Sequence, residues 1–111
     1  MANPSKRRGD KAELEAAQML SELTGYRCQR MLGAGRKDDI GDIAGIPGHA
    51  IQVANWSDTA AAAVQKPRGA QQQAENAMVP HAMTLVRFRG GTWRVVLTPE
   101  QWNSYLQKIN P

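Results

Sequence analysis

The chain has 111 residues and a mass of 12.2 kDa, which suits one compact domain and leaves no room for two independent cores. Hydrophobic residues make up 41% and charged residues 22% of the chain, values that exclude wholesale disorder and a coiled-coil rod. Fourteen Lys and Arg outnumber ten Asp and Glu, and the net charge of +4 has the sign expected of a polyanion binder.

Cysteine content and hydropathy indicate the cellular compartment in which the protein works. The single cysteine, Cys28, excludes an internal disulfide and any cysteine-based zinc site, which fits a reducing environment. No apolar run approaches the roughly 18 residues that cross a bilayer. The N-terminus is basic and polar, without the apolar stretch of a signal peptide. We therefore expect a cytoplasmic protein with no membrane partner.

The first predicted element is a helix over residues 10–24, which ends at Gly25. Glu13 lies at the edge of its apolar stripe, whereas Leu14 points nearly away from the stripe and indicates a second contact surface. Residues 1–9 are expected to form a basic, flexible arm before this helix. The stripe consists of Ala12, Ala16, Met19, Leu20 and Leu23.

Short β-rich runs follow the helix. Residues 26–32 can form a strand, and residues 33–39 form a polar, glycine-rich loop. The next two runs, 42–46 and 50–54, are joined through Pro47-Gly48 as the strands of a hairpin are.

The loop of this hairpin predicts which side chains meet. If the loop is Ile46-Pro47-Gly48, Asp42 falls directly opposite Gln52. Because side chains alternate along a strand, Gln52 and Ala54 share the face of Asp42. Ile51 and Val53 then point to the other face.

The second half of the chain predicts a helix and another hairpin. Residues 57–78 are rich in alanine and glutamine, and Lys66-Pro67 interrupts them, so we expect one broken helix or two. The β-rich runs 81–89 and 92–98 are separated by Gly90-Gly91, a strong hairpin signal.

A closing helix is predicted from its own capping signals. Thr98 is an N-cap residue, Pro99 occupies the first helical position, and Gln101 completes a capping box. The helix is expected to run to about Lys108. The predicted order of elements is α-β-β-β-α-β-β-α.

The basic residues are unevenly placed along the chain, and this clustering indicates contacts with phosphates. One cluster lies at the N-terminus, one in the glycine-rich loop and one beside Pro67. The candidate DNA-binding residues are Lys6, Arg7, Arg8, Lys11, Arg36, Lys37, Lys66 and Arg68.

Several motifs in a fixed order carry a family resemblance that covers almost the whole chain. The chain resembles the archaeal-type Holliday junction resolvases and their phage relatives, which belong to the PD-(D/E)xK nuclease superfamily. The motifs are RRG at 7–9, AELE at 12–15, GAG at 33–35, GDIAG at 41–45 and IQVA at 51–54.

The resemblance implies a restriction-endonuclease-like mixed sheet of about five strands flanked by helices, in a single nuclease-like domain over residues 1–111. It implies a homodimer that binds and cleaves four-way (Holliday) or other branched double-stranded DNA during recombination. The cofactor implied is Mg²⁺ or Mn²⁺, and the location is the cytoplasm of a prokaryotic or phage-infected cell.

The resemblance also implies the site residues. The family has a glutamate on the first helix, an aspartate opening the second strand and a Glu-x-Lys triplet on the third. These positions correspond here to Glu13, Asp42, Gln52 and Ala54. Asp42, Gln52 and the backbone carbonyl of Val53 would hold the metal directly, and Glu13 would reach it through water.

Two of these positions depart from the family pattern. Gln52 keeps an amide oxygen as a ligand but removes a negative charge, so the metal should bind weakly. Ala54 removes the ammonium that would help to activate the attacking water. Ala54 is an evolved loss, an engineered substitution, or a position relieved by a lysine from elsewhere, for which Lys37 and Lys66 are the candidates.

Activity is therefore in doubt from the sequence, and two alternatives to a junction-cleaving endonuclease stay open. One is a catalytically inactive, dimeric DNA-binding module that keeps the nuclease fold. The other is a protein-binding domain without a nucleic acid partner. Trp56 follows the third strand among polar residues, where it can stack on an exposed base, line a subunit interface or pack in the core.

Overall fold

A computed structural model of the protein describes residues 4–31 and 39–110, with only the backbone of residues 4–8. These residues form a mixed α/β structure with a five-stranded sheet and three helices. In chain order the elements are α1 (Pro4–Thr24), β1 (Gln29–Arg30), β2 (Ile43–Ala44), β3 (His49–Ala54), α2 (Thr59–Ala77), β4 (His81–Phe88), β5 (Thr92–Val96) and α3 (Pro99–Ile109).

The sheet is open and its strands lie in the order β1-β2-β3-β4-β5. Neighbouring strands are antiparallel except β3 and β4, which are parallel. A parallel pair needs a crossover connection, and α2 supplies it. The mixed α/β class and the five strands agree with the sequence prediction.

The first elements differ in length from those predicted. Helix α1 begins at Pro4 and runs through Gly9, so part of the arm predicted over residues 1–9 is helical. Strand β1 is confined to Gln29–Arg30 because the chain from Thr24 to Tyr26 is still turning, with the Tyr26 amide bonded to the Thr24 hydroxyl at 3.2 Å. The loop predicted at 33–39 lies mostly outside the described residues.

Helix α2 is continuous, which resolves the prediction of one broken helix or two. Pro67 lies inside it, and its carbonyl accepts a 2.8 Å bond from the Gln101 amide of α3. Asp58 caps the first turn through the Ala61 amide at 2.9 Å. The proline removes one amide donor from the helix, and α2 nevertheless continues past it.

The second hairpin and the closing helix are confirmed. Gly90 and Gly91 both adopt a φ of +82°, the left-handed region that a tight turn between β4 and β5 requires. Thr98 caps α3, and its hydroxyl and the Gln101 side chain form both bonds of the capping box at 3.0 Å.

The two faces of the sheet are packed differently. The face toward α1 carries a hydrophobic cluster in which helix residues meet β2, β3 and β4. The face toward α2 is lined mainly by alanines, which allow the helix to approach the sheet closely. The α1 cluster includes Ala12, Ala16, Leu20, Ile43, Ile51, Val53 and Leu85, and the α2 face includes Ala50, Ala54, Ala62, Ala70, Ala74, Ala82 and Val86.

Gly45 follows β2 and allows the connection between α1 and β1 to pass close to it. Its φ is +128°, and a Cβ at this position would overlap the carbonyl oxygen of Arg27. Only glycine fits such a position, where backbone strain and steric overlap coincide. Because β2 follows Asp42 directly, Gly45 also fixes the strand next to the candidate site.

We expect Gly45→Ala to lower the free energy of unfolding by about 3 kcal/mol or more, since the overlap adds to the strain of positive φ. Gly25→Ala is the control: Gly25 has a φ of +79°, but a Cβ there meets no atom within 4 Å in the described chain. It should cost only about 1–2 kcal/mol. Urea unfolding followed by circular dichroism measures both, and equal losses would contradict the packing argument.

Candidate active site

Asp42 joins three strands at the start of β2. Its carbonyl accepts from the Met31 amide at 2.8 Å, and its amide donates to the Ile51 carbonyl at 2.7 Å. Its carboxylate Oδ2 accepts from the Val53 amide at 2.8 Å. Because a strand amide lies in the plane of the sheet, this carboxylate occupies the place of a backbone carbonyl on the neighbouring strand.

The register of the hairpin follows the predicted loop. Ile43 pairs with Ile51, which is the register that the predicted loop gives. Asp42 bonds to Ile51 and Val53, the two residues on either side of Gln52.

Gly41 allows this approach. Its φ is +120°, and a Cβ here would lie 3.1 Å from both the nitrogen and the oxygen of Ile51. The Gly41 amide in turn donates to the Asp39 carboxylate at 3.1 Å. The segment entering β2 therefore brings Asp39 as well as Asp42 to the edge of β3.

Gln52 is buried on the α2 side of the sheet, with 8% of its surface exposed. Ile51 and Val53 belong to the cluster under α1, so the predicted alternation of faces is confirmed. The side-chain oxygen of Gln52 has no hydrogen-bond partner among the described residues. A buried acceptor without a donor is uncommon in folded proteins and indicates a missing water, ion or ligand.

Glu13 lies at the α1 edge of the site and is paired with a cation. Its Oε2 accepts from Arg30 Nε at 3.0 Å, and the same guanidinium donates to Asp10 at 2.8 Å. Arg30 belongs to β1 opposite Ile43, whose side chain packs in the α1 cluster, so the Glu13 carboxylate lies on the α1 side of the sheet. The charge of Asp42 still reaches it there, although the Gln52 side chain lies on the other side.

The two carboxyl groups influence one another. Burial raises the pKa of Glu13, and the charge of Asp42 raises it further, against the hydrogen bond and charge of Arg30. Burial also raises the pKa of Asp42, the Val53 amide lowers it, and the charge of Asp39 raises it again. Partly desolvated carboxylates that repel one another favour a cation between them.

Ala54, at the position of the motif lysine, is enclosed. Its surface is 1% exposed, and it packs against Ala62 of α2 and Val86 of β4. Of the two lysines that could replace the missing ammonium, Lys37 lies outside the described residues. Lys66 lines the same groove as Gln52.

The structure therefore brings together only part of the predicted set. Asp42 bonds to both chain neighbours of Gln52. The Val53 carbonyl points to the same neighbouring strand as its amide, which bonds to Asp42. Glu13 is held by Arg30 instead of facing an open site. Within residues 9–31 and 39–110, no three His, Cys, Asp or Glu side chains form a group that could hold a metal ion.

The predicted DNA-binding residues are only partly described. The backbone of Lys6, Arg7 and Arg8 belongs to α1, but their side chains, together with Arg36 and Lys37, lie outside the described residues. Lys11 is exposed, and Arg68 is exposed on α2.

Two arginines near the site were missed in the sequence. Arg87 and Arg89 line a groove with Asn55 and Trp56 at the carboxyl ends of β3 and β4. The signal was their alternation around Phe88, which places both on one face just before the Gly90-Gly91 turn. They do not form a contiguous basic run, because Phe88 separates them in the sequence.

Comparisons of the chain with protein-family models, with curated proteins and with solved structures gave no match. No helix in the described part of the chain is long and apolar enough to cross a membrane.

We expect Arg30→Met to lower the free energy of unfolding by about 1–3 kcal/mol, because two carboxylates lose a charge-assisted hydrogen bond. Arg87→Met is the matched control, since Arg87 pairs with the more exposed Glu15 at 3.2 Å. It should cost less than about 1 kcal/mol. Urea unfolding at pH 7 compares the two variants, and an equal or smaller loss for Arg30→Met would contradict the assigned role.

Proposed function

We propose that this protein binds four-way or other branched DNA with a restriction-endonuclease-like fold and supports its metal-dependent cleavage. Two observations carry the proposal: the Asp42 carboxylate is held by the Val53 amide, and the side-chain oxygen of Gln52, the residue before Val53, has no partner among the described residues. A carboxylate opening β2 and a side-chain oxygen on β3 are the positions that the nuclease resemblance assigns to metal ligands.

The oxygen donors suit a hard divalent cation. Asp42, Gln52 and the Val53 carbonyl would hold Mg²⁺ or Mn²⁺, and the unsatisfied Gln52 oxygen is the observation that fits such an ion. When bound, the metal would polarise the phosphate and lower the pKa of a water molecule. With one charged ligand in close contact the site is weak, and DNA phosphates would complete it.

The residues of the chain supply orientation and charge. The Val53 amide fixes the Asp42 carboxylate, and Arg30 fixes Glu13 at the opposite side of the hairpin. Lys66, in the groove with Gln52, supplies positive charge that the enclosed Ala54 position does not. A cation near a reacting phosphate stabilises the negative charge that develops there.

A homodimer is part of the proposal. A four-way junction presents two equivalent strands, and a two-fold dimer is the simplest match to them. Leu14, predicted to point away from the core, is 56% exposed on α1. An exposed large apolar side chain on a helix whose other face is buried is a contact that a second copy would cover.

The second candidate is a DNA-binding protein that keeps the fold without cleaving. Two observations favour it: the motif lysine position is buried in an alanine contact, and Gln52 is neutral. Loss of one positioned catalytic group costs on the order of 10² to 10⁴ in rate. Binding and cleavage are therefore tested separately.

For binding, we expect a synthetic four-way junction to be preferred over linear duplex of the same sequence at physiological salt. Replacing Arg87 and Arg89 by Gln should weaken binding. The slope of log binding constant against log salt concentration should become shallower by about 0.9 for each phosphate contact that is lost. Fluorescence anisotropy measures both. Equal affinity for junction and duplex would overturn junction recognition, and binding without salt dependence would overturn the DNA contacts.

For cleavage, we expect Gln52→Glu to tighten Mn²⁺ binding and to raise junction nicking about tenfold or more, since it restores a ligand charge. With Ala54→Lys the gain should reach the order of 10². Gln107→Glu, which adds the same charge at an exposed position of α3 outside the groove, is the control and should do neither.

Ala54→Lys places a long side chain in a closed contact, so circular dichroism must first show that the double variant is folded. Nicking of a labelled junction and calorimetric titration with Mn²⁺ are the measurements. A folded double variant that neither binds metal nor nicks would overturn the enzymatic proposal and leave the binding module.

A further inference from the structure

A polar groove runs between β3 and one side of α2, with a volume of about 340 Å³. Its helix residues recur at the spacing of a single stripe, and Asp39 closes the end near β2. We call it the α2 groove. The residues that matter for its chemistry are Asp39, Gln52, Trp56, Lys66, Gly69 and Gln73.

Gln73 presents an unpaired acceptor in this groove. Its side chain is 3% exposed, and its Nε2 donates to Asp39 Oδ2 at 2.9 Å. That bond fixes the orientation of the amide, and Oε1 has no partner among the described residues. An acceptor left unsatisfied in the interior costs about 1–3 kcal/mol, and a ligand that donated a hydrogen bond to it would remove this cost.

Asp39 is itself held against the helix. The Asn76 amide donates to the Asp39 backbone carbonyl at 2.9 Å, and Gln73 binds its carboxylate. The groove therefore has a defined end, in which an amide oxygen and a carboxylate are adjacent acceptors.

Gly69 borders an open part of the groove. It lies in the interior of α2, where glycine is about 0.5–1 kcal/mol less favourable than alanine. A Cβ at this position would meet no heavy atom within 4 Å in the described chain. The space beside Gly69 can therefore hold a ligand or, in a variant, a larger side chain.

The mouth of the groove is aromatic and basic. Lys66 Nζ lies 5.0 Å from the centroid of the Trp56 ring, which is 38% exposed. Trp56 also lines the neighbouring groove that contains Arg87 and Arg89. An anionic chain that entered the α2 groove would therefore continue over a basic surface.

We infer that the α2 groove binds one unpaired nucleotide of a branched DNA. The N–H edge of its base donates to the Gln73 oxygen, Trp56 contacts the base, and Lys66 pairs with the phosphate. Base–aromatic contacts and a cationic mouth are the usual means of holding single strands. The inference rests on the proposed function, because a nucleotide placed here reaches Gln52 and hence the cleavage site.

The test compares forked DNA with unpaired thymines, the same fork with abasic sites in place of those thymines, and linear duplex. We expect wild-type protein to bind the thymine fork about tenfold more tightly than the abasic fork, as one stacked base provides. Gly69→Leu fills the groove and should abolish this difference. Fluorescence anisotropy at fixed salt measures all three affinities.

Ala60→Leu is the matched control. It makes a similar change of size at an exposed position of the same helix, and it lies about two and a half turns away, on the opposite side. It should keep the preference for the thymine fork. Thermal unfolding checks both variants, and Gly69→Leu should be at least as stable as wild type because leucine is a better helix former than glycine.

The two comparisons separate the two proposals. Equal binding of the thymine and abasic forks, or a preference that survives Gly69→Leu, would overturn the nucleotide site and leave branched-DNA binding intact. If the thymine fork is bound no more tightly than duplex, branched-DNA recognition is overturned. The difference in affinity between the thymine fork and the abasic fork would still test the α2 groove.

Discussion

The hydrogen bond from the Val53 amide to the Asp42 carboxylate is the contact on which the site depends. It replaces a backbone bond at the point where β2 gives way to the preceding loop, so the carboxylate is fixed by the sheet itself. Gly41 makes the approach possible, because a Cβ there would press on the Ile51 backbone. The Gln52 side chain follows from the alternation of β3, and the site is assembled without any long-range loop.

Burial of the Asp42 and Glu13 carboxylates lowers the stability of the fold when no cation is bound near them. A carboxyl whose folded-state pKa is raised binds its proton more tightly in the folded than in the unfolded chain. Its contribution to stability therefore falls as pH rises from the unfolded-state to the folded-state pKa. Asp42 and Glu13 both belong to this class, since burial raises the pKa of each. Arg30 offsets part of the repulsion, and a bound divalent cation would offset more.

The sequence predicted what local rules decide. Capping fixed the start of α3, the Gly90-Gly91 turn fixed the last hairpin, and strand alternation placed Gln52 opposite the α1 face. It did not predict the continuity of α2 through Pro67, because a proline in a helix is tolerated or not according to its tertiary surroundings: Pro67 is fully buried, and its carbonyl accepts a bond from Gln101, which is distant in the chain. It also could not show that Ala54 is enclosed or that Arg30 forms an ion pair with Glu13, since both depend on how the helices pack on the sheet.

On the α2 face of the sheet, buried polar side chains lower the stability of the fold. Alanines dominate this contact, yet Gln52 and its parallel neighbour Thr84 interrupt it with buried polar atoms that have no partner among the described residues. On the helix, Gln73 carries a third such atom, and it lines the same groove as Gln52. Apolar residues of similar size would pack there without this penalty. Two unsatisfied groups in one groove are the departure from local consistency expected where a ligand completes the structure.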